Sequence, residues 1–249
     1  MKIVVCIKRT PDSEAKIRLG EDGVSIDPSG VKFIISPYDE FAIEAGLRLK
    51  EAAGDGEVVL LSMGGDHTPE TLRQGLAMGA DQAIHMKETA GLDGLATAKA
   101  LAAELKGMDA SLILFGMKGA DMDQQQVGPM TATLMGLPCV TAASEFEMVG
   151  ETLTCRREVE GGAEILEMDL PAVITVTKGK FEPRYASLKG IMAAKRKPLE
   201  EKEVEGGESR LIVRNLSYPP QRPAGRVVGK DPDAAPELVR LLREEAKAL

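Results

Sequence analysis

The sequence predicts an α/β protein: a parallel sheet with helices on both faces, antiparallel edge strands and a C-terminal arm. Short apolar runs rich in β-branched residues recur through residues 1–140 and alternate with segments of helical spacing. Strands that alternate with helices in this way indicate a parallel sheet joined by right-handed crossovers. After Leu137-Pro138 the pattern changes to short strand-like segments separated by glycine turns, which predicts antiparallel strands at the edge of the sheet.

The first half of the chain contains the predicted strands and helices of the parallel sheet. Residues 3–7 form a continuous apolar run, which is typical of a buried parallel strand. Ser36 is expected to cap a helix that has Pro37 at its first position, Asp39 in its first turn and Gly54 at its end. The other predicted elements are strands at 31–35, 58–61, 83–86 and 112–115, and helices at 68–79 and 92–105.

The second half combines predicted hairpins with a long tail. A short helix from Leu188 is followed by a charged tail that contains prolines, and then by a final helix with apolar residues at helical spacing. We expect an α/β domain over residues 1–190 and an extended arm over residues 191–249, which either wraps a partner or folds back on the domain. The strand-like segments are 139–142, 145–148, 153–157, 164–168 and 172–177, with hairpin turns at Gly150-Glu151 and Gly161-Gly162.

Composition and charge exclude several classes of protein. Of the 249 residues, 43% are apolar and 28% charged, as in a soluble globular protein, and no apolar run approaches the length of a membrane span. The net charge of −8 argues against a partner with a phosphate backbone, so no nucleic-acid binding is expected. Cys6, Cys139 and Cys155 are far apart and odd in number, and no signal-peptide pattern is present, so we expect a reducing, cytoplasmic location.

A candidate ligand site follows the predicted strand at 112–115, because ligands of open parallel sheets bind at the carboxyl ends of the strands. Gly116 and Gly119 permit close approach of the backbone, and free N–H groups at the next helix start suit a phosphate. For Asp121 and Asp123 three roles stay open: capping that helix, bonding a ribose hydroxyl, or holding a metal ion. A purely structural turn is the alternative. The sequence has neither a G-x-G-x-x-G after its first strand nor a Walker A motif, so the familiar nucleotide-binding modes are not indicated.

Catalytic motifs are missing from the sequence. It contains no G-x-S-x-G, C-x-x-C or H-E-x-x-H pattern, and neither His67 nor His85 has a recognisable nucleophile or set of metal ligands around it. A structural role for each histidine is the better interpretation. No catalytic residue and no metal site are therefore predicted.

Residues 181–192 form a turn-rich, charged segment that begins after the apolar run at 171–176. It reads Phe-Glu-Pro-Arg-Tyr-Ala-Ser-Leu-Lys-Gly-Ile-Met and carries aromatic and aliphatic side chains. A segment of this kind at the end of a buried strand either displays its apolar groups to a partner or is an ordinary surface loop. The residues alone leave both interpretations open.

Several separated motifs resemble the beta subunit of electron transfer flavoprotein, in the order and spacing of that family and over nearly the whole chain. The most specific are the last three in the chain. The motifs are Val5-Cys-Ile-Lys-Arg9, Ser36-Pro-Tyr-Asp-Glu40, Leu76-Ala-Met-Gly-Ala-Asp81, residues 116–129, Arg156-Arg-Glu-Val-Glu-Gly-Gly-Ala-Glu164, Leu170-Pro-Ala-Val-Ile-Thr175 and Glu182-Pro-Arg-Tyr-Ala-Ser-Leu188.

The resemblance implies a heterodimer of alpha and beta subunits that carries electrons in fatty acid β-oxidation, with no bond chemistry in the beta subunit. It implies one FAD held mainly by the alpha subunit. Electrons would come from acyl-CoA dehydrogenases and related flavoenzymes and pass to electron transfer flavoprotein-quinone oxidoreductase. Residues 1–190 would form a nucleotide-binding domain with a structural AMP, and the arm over residues 191–249 would wrap the alpha subunit.

The resemblance also implies roles for individual residues. Tyr38 matches a position near the flavin, Glu158 matches an acid that contacts the mobile flavin domain of the alpha subunit, and Leu188 matches the apolar anchor of a loop that docks on dehydrogenases. The same docking surface would include Pro183, Tyr185, Ile191 and Met192. The implied AMP contacts are Cys6, Ser36, Pro37, Tyr38, Asp39, Met63, Gly116, Met117, Lys118, Gly119, Ala120, Asp121, Met122, Asp123, Gln124, Gln125, Gln126 and Val127.

Three residues depart from the common family pattern. Ser36 stands where many relatives have asparagine, but serine keeps the N-cap function. Met63 replaces a cysteine-like position, and Met122 lies between the two acids. Relatives that bifurcate electrons bind a second FAD in place of AMP and often have glycine between these acids, so Met122 favours AMP. The form with a second FAD and a stand-alone nucleotide-binding domain without an alpha subunit are the alternatives.

Overall fold

The computed structural model describes residues 1–88, 91–150, 152–204, 207–222 and 224–249. They form two compact units, Met1–Arg214 and Asn215–Leu249. The helices are α1 (Pro37–Ala53), α2 (Thr68–Met78), α3 (Gly94–Leu105), α4 (Val127–Met135), α5 (Leu188–Ala194) and α6 (Ala235–Glu244). The strands are β1 (Lys2–Cys6), β2 (Arg9–Pro11), β3 (Phe33–Ile35), β4 (Glu57–Gly64), β5 (Gln82–Lys87), β6 (Leu112–Gly116), β7 (Cys139–Val149), β8 (Thr152–Val159), β9 (Gly162–Asp169), β10 (Ala172–Val176) and β11 (Leu199–Glu203).

A large mixed sheet forms the centre of the first unit and confirms the predicted fold class. Within the described residues its strand order is β11-β5-β4-β1-β6-β10-β7-β8-β9. Neighbours are parallel from β11 to β7, whereas β7, β8 and β9 pair antiparallel and form one edge. The first half of the chain, in which strands and helices alternate, thus supplies most of the parallel strands. The hairpins of the second half supply the antiparallel edge.

Helices cover both faces of this sheet. In β1, Ile3 and Val5 belong to a core shared with α1 and α2, while Val4 and Cys6 belong to a second core shared with α3 and α4. Successive side chains of a strand alternate between the two faces. Because both faces are buried, β1 is apolar at every core position instead of alternating with polar residues.

The hairpin region differs from the prediction in two respects. Residues 139–142 and 145–148 belong to one continuous strand, β7, which contains a register shift and a left-handed residue, Ala142 (φ 56°). Strand β10 lies between β6 and β7 in the parallel part, where all five of its residues are buried. Gly161 has the positive φ (82°) expected in the turn between β8 and β9, while the other predicted turn includes Glu151, which lies outside the described residues.

The strand predicted at residues 31–35 lies outside the main sheet. Phe33–Ile35 pairs antiparallel with Arg9–Pro11 in a separate two-stranded sheet. The guanidinium carbon of Arg9 lies 3.7 Å from the centre of the Phe33 ring, which strengthens this small sheet. The apolar pattern of residues 31–35 predicts a strand but does not show which strand it pairs with. The pairing forms because the chain after β1 supplies β2 as the partner.

Strand β11 has no apolar run, and the sequence pattern does not predict it. Its residues, Leu-Glu-Glu-Lys-Glu, pair with β5 at the edge of the sheet, where charged side chains hinder pairing with another chain. The chain before β11 is fixed to α2, because the guanidinium of Arg73 donates to the carbonyl oxygens of Ala194 (2.6 Å) and Lys197 (2.7 Å). Arg73 therefore positions the start of this edge strand.

The second unit contains a 3₁₀ turn at Pro232–Ala234 and the helix α6. Arg240 forms ion pairs with Glu237 and Glu244, one turn away on either side, and these pairs support an amphipathic helix. The helix predicted from the apolar spacing near the C-terminus is therefore present. Across the described part of the chain, none of the helices has the length and apolar character needed to cross a membrane.

We predict that Arg73→Met lowers the free energy of unfolding by about 2–3 kcal/mol, because two partly buried carbonyl groups lose a charged donor. Urea unfolding followed by circular dichroism measures the change. Arg196→Met is the matched control, since Arg196 lies in the same segment and is exposed. Equal stability of the two variants would contradict the positioning role of Arg73.

Candidate functional site

A cavity of about 710 Å³ opens at the carboxyl ends of β1, β4 and β6. Open parallel sheets bind ligands at this edge, and ligand pockets usually measure about 300–1,000 Å³. The predicted site residues that line the cavity are Cys6, Asp39, Met63, Gly116, Met117, Lys118, Gly119, Asp121, Met122, Gln124, Gln125, Gln126 and Val127. The other predicted residues, which adjoin this lining by a bond or by sequence, are Ser36, Pro37, Tyr38, Ala120 and Asp123.

The carboxylate of Asp39 joins two strand ends beside the cavity. It accepts hydrogen bonds from the backbone N–H groups of Lys8 (2.7 Å), which follows β1, and Gly116 (2.9 Å), which ends β6. Burial raises the pKa of the Asp39 carboxyl group to about 7, although both hydrogen bonds and the charge of Lys8 act in the opposite direction. The acid predicted in the first turn of α1 therefore also connects the central strands.

Ser36 precedes α1 as predicted, but the expected side-chain cap is wrong. Its hydroxyl donates to the carbonyl oxygen of Lys118 and accepts from the N–H of Ala120, both at 3.3 Å. These bonds attach the loop after β6 to the start of α1. An N-cap hydroxyl accepts a hydrogen bond from a helix N–H, and here the hydroxyl oxygen accepts from the loop N–H of Ala120 instead.

The two aspartates of the 116–127 loop are paired with lysines. The Lys8 Nζ lies 2.7 Å from an Asp121 carboxylate oxygen, and the Lys118 Nζ lies 2.8 Å from an Asp123 oxygen. Neither acid caps α4, so that option is wrong. Among the residues that the structure describes, no group of three or more His, Cys, Asp or Glu side chains is placed to hold a metal ion. The pairs keep two cationic groups in the cavity lining.

The backbone of the 116–127 loop is strained at two positions. Asp123 and Gln125 adopt left-handed conformations, with φ of 53° and 54°. Such a conformation costs a non-glycine residue roughly 1–2 kcal/mol, and it persists where surrounding contacts fix the chain. Strain of this kind is concentrated at functional sites, which favours a binding role for this loop over a purely structural turn.

Two of the helices that begin at the cavity, α3 and α4, differ at their N-termini. Asp93 caps α3, because its carboxylate accepts a hydrogen bond from the N–H of Ala96 at 2.8 Å. Within the described ranges, no side chain caps α4, which follows Gln126. Val127 and Gly128, at the start of α4, line the cavity. Uncapped N–H groups at a helix start suit an anion such as phosphate.

The cavity also contains residues that the sequence reasoning missed. They include the residues that lead into α3, from Gly91 to Gly94, and two residues of the tail, Leu211 and Val213. For α3 a signal was present, since an aspartate followed by an apolar helical pattern is typical of an N-cap. For Leu211 and Val213, nothing in the neighbouring sequence indicates that they lie beside the cavity.

Both histidines have protein partners. His67 lines the cavity, and its ring lies 3.1 Å from the carboxylate of Glu70. His85 is buried, and its ring nitrogens lie 2.8 Å from the carbonyl oxygen of Gly64 and 3.1 Å from Glu201. These contacts connect β5 with both neighbouring strands, as expected of a structural histidine.

The 181–192 segment is anchored at its beginning. Phe181 is buried, and its ring centre lies 4.8 Å from that of Phe146. The guanidinium of Arg184 donates to the carboxylates of Glu44 (2.7 Å) and Glu51 (2.6 Å), both in α1. An aromatic contact and a forked ion pair therefore fix the base of the segment to the domain.

The remainder of the 181–192 segment is exposed. Tyr185 is 99% and Leu188 84% exposed, and both belong to one short run of exposed apolar side chains. The hydroxyl of Ser187 accepts from the N–H of Gly190 at 3.0 Å and caps α5, so the exposed residues lie on ordered backbone. The other predicted docking residues are Ile191 and Met192, which are exposed, and Pro183, which is half-buried.

The two residues expected to contact a flavin or its domain lie in different places. Tyr38 is half-buried at the start of α1, where the Lys118 Nζ lies 5.7 Å from its ring centre. Glu158 lies in β8 at the antiparallel edge, and its carboxylate pairs with Arg156 at 2.9 Å. Tyr38 thus adjoins the cavity, whereas Glu158 belongs to the edge hairpin.

The fold and the cavity define an α/β protein with a candidate ligand site at the carboxyl edge of a parallel sheet. A family profile described as electron transfer flavoprotein domain matches residues 24–206. Relatives named electron transfer flavoprotein subunit beta include those of Syntrophomonas wolfei (39% identical over 99% of this chain and 98% of the relative), Bacillus subtilis (39% over 100% of both) and Homo sapiens (37% over 98% and 97%). The chain therefore belongs to the electron transfer flavoprotein family and corresponds to its beta subunit.

Replacing Gly116 with alanine is expected to lower the free energy of unfolding by about 1–3 kcal/mol. A Cβ at this position would overlap the Asp39 carboxylate and lie 2.7 Å from the Asp39 nitrogen, so the junction beside the cavity must shift. Urea unfolding of Gly116→Ala and of Gly107→Ala tests this, because a Cβ at Gly107 meets its nearest neighbour at 3.6 Å. If both variants are equally stable, the close packing at Gly116 does not support the junction.

Proposed function

We propose that this chain is the beta subunit of a heterodimeric electron transfer flavoprotein that binds a structural AMP and docks acyl-CoA dehydrogenases. FAD held mainly by the alpha subunit would carry the electrons to a quinone oxidoreductase, and the beta subunit would catalyse no reaction. The observation that carries the proposal is the cavity at the sheet edge, in a chain that matches beta subunits along its whole length. A cytoplasmic location is part of the proposal and rests on the three free cysteines.

The chemistry of the cavity supports a nucleotide ligand. The uncapped start of α4 and the ammonium groups of Lys8 and Lys118 offer donors and positive charge to a phosphate. Asp121 and Asp123 hold these lysines and keep carboxylate oxygens available to a ribose hydroxyl. The other predicted AMP contacts belong to the same lining or adjoin it, so the predicted set surrounds one cavity.

The exposed end of the 181–192 segment supports docking to a flavoenzyme. Leu188 is the anchor in this proposal, with Tyr185, Ile191 and Met192 around it and Pro183 restricting the base. Isolated apolar side chains on ordered backbone suit small interfaces that form and separate quickly. Arg184 supports this arrangement, since its ion pairs with α1 fix the segment before the exposed residues begin.

The contacts with the alpha subunit are also part of the proposal. Tyr38 would approach the flavin, Glu158 would contact the flavin domain, and the arm over residues 191–249 would wrap the partner. The amphipathic helix α6 supports an arm of this kind, because Leu238 and Val239 are exposed on it. Few of the residues in Asn215–Leu249 are buried, as expected of a segment that needs a partner.

A second FAD in place of AMP is the other candidate, and the cavity volume of about 710 Å³ favours it. Met122, which led us to expect AMP, lines the cavity and is 61% exposed, so its flexible side chain has open space into which it can move. This freedom weakens the argument from Met122. Nucleotide analysis distinguishes the two ligands directly.

We predict that the complex of this chain with its alpha subunit contains one FAD and one AMP per heterodimer. The two subunits are co-expressed, the complex is purified and denatured, and the released nucleotides are quantified by chromatography. Two FAD molecules and no AMP would assign the cavity to a second flavin. No flavin and no co-purifying alpha subunit would overturn the proposal in favour of a stand-alone nucleotide-binding domain.

Leu188→Ala is expected to slow electron transfer from an acyl-CoA dehydrogenase about tenfold, because removal of a central apolar anchor weakens a small interface. The bound nucleotides should remain, since Leu188 does not belong to the cavity lining. Stopped-flow reduction of the flavin measures the rate. Val149→Ala removes an exposed apolar side chain at the end of β7 and serves as the control. Unchanged transfer by the Leu188 variant would rule out its anchor role.

A further inference from the structure

Residues 209–213, which we call the strap, are fastened to the start of α3 by one residue, Asp93. The carboxylate of Asp93 accepts hydrogen bonds from the backbone N–H groups of Arg210 (2.6 Å) and Leu211 (3.0 Å). The N–H of Asp93 donates to the hydroxyl of Ser209 at 2.9 Å. Residues that are more than a hundred positions apart in sequence are thus held together by three hydrogen bonds.

Asp93 serves the strap and the helix at the same time. One carboxylate oxygen accepts from the N–H of Ala96 and caps α3, while the other accepts from the two strap N–H groups. These backbone donors, from Ala96 first and then Arg210 and Leu211, lower the pKa of the Asp93 carboxyl group from its ordinary value. An ionised carboxylate has the lone pairs for all three bonds, so the strap is attached by a charged acceptor.

The strap presents alternate side chains to the cavity. Leu211 and Val213 line it, although they are 60% and 44% exposed. Ile212, between them, is 78% exposed. Leu211 and Val213 therefore form an apolar inner face of the strap, and Ile212, which does not belong to the lining, is on its outer face. The inner face places an apolar pair beside the cavity.

The start of α3 also touches the 116–127 loop. A Cβ placed on Gly94 would lie 3.4 Å from the side-chain oxygen of Gln124 and 3.7 Å from the side chains of Gln126 and Val127. Asp93 is therefore situated where the strap, α3 and the loop meet. A ligand that contacts residues 124–127 of the loop therefore lies close to the start of α3, to which the strap is attached.

We infer that the strap closes the cavity over the nucleobase of a bound nucleoside phosphate, with Leu211 and Val213 as its inner wall and Asp93 as the residue that fastens it. The inference rests on the proposed function and adds residues to the binding site. The phosphate requires the N–H groups and lysines of the β1, β6 and α4 ends, whereas an apolar wall suits the flat face of a base. Release of the ligand then requires the strap to detach from Asp93.

Asp93→Asn separates the two functions of this side chain. Asparagine keeps one oxygen for the cap of α3 but places an amide donor against the N–H groups of Arg210 and Leu211. The double variant Leu211→Ala/Val213→Ala removes the inner wall and leaves the fastening in place. Ile212→Ala is the matched control, because it shortens the intervening side chain on the outer face.

The test measures exchange of bound AMP against labelled AMP in the purified heterodimer. Asp93→Asn and the double variant should exchange about tenfold faster than the wild type, since loss of contacts acts mainly on dissociation, and Ile212→Ala should match the wild type. The FAD content should be equal in all four proteins. Hydrogen exchange at the Arg210 and Leu211 amides should be slow in the wild type and fast in Asp93→Asn.

The test distinguishes a failure of the strap inference from a failure of the proposed function. If the wild type contains AMP but both strap variants exchange it at the wild-type rate, the strap is wrong and the proposed function stands. If the amides of Arg210 and Leu211 lose protection without faster exchange of AMP, the strap is likewise overturned. A wild-type complex without any nucleotide would refute the proposed function, and the strap with it.

Discussion

The candidate site depends on the buried carboxylate of Asp39. It comes from the first turn of α1 and accepts hydrogen bonds from Lys8 N–H after β1 and Gly116 N–H at the end of β6. Three elements that are far apart in sequence therefore meet at one acceptor, and the cavity opens beside it. A buried carboxylate without these donors would be costly, so the junction is favourable only when all three elements are in place.

Helix α1 connects this junction with the 181–192 segment. Asp39 lies in its first turn, and Glu44 and Glu51 further along hold Arg184. Burial raises the pKa of Glu44, but hydrogen bonds from Arg184 and Arg48 outweigh it and lower the pKa overall, so this carboxylate stays ionised. A continuous helix is a stiff element, and the base of the exposed segment is therefore fixed relative to the cavity. Helix α1 therefore supports both the proposed nucleotide site and the proposed docking segment.

The sequence predicts the features that depend on local patterns. The strands β1 and β10 are recognisable as apolar runs, and Gly54 ends α1 with the positive φ (71°) expected of a C-terminal glycine. Features that depend on distant contacts were not predictable, because β11 is charged and becomes a strand only by pairing with β5. The hydrogen bonds of Ser36 also depend on a distant segment. Its capping chemistry is clear in the sequence, but the loop that engages its hydroxyl lies 82 residues away.

Several backbone features that are energetically unfavourable by themselves occur together at the cavity. Asp123 and Gln125 have left-handed backbone, and within the described residues the start of α4 has no side-chain cap; each such feature costs roughly 1–2 kcal/mol. The start of α3, at the same cavity, is capped by Asp93 and has neither feature. Proteins depart from local rules mainly at functional sites, so the strained loop together with the uncapped start of α4 favours this part of the lining as the place where a ligand binds. A phosphate at α4 would supply the missing cap, and binding would then stabilise the strained loop as well.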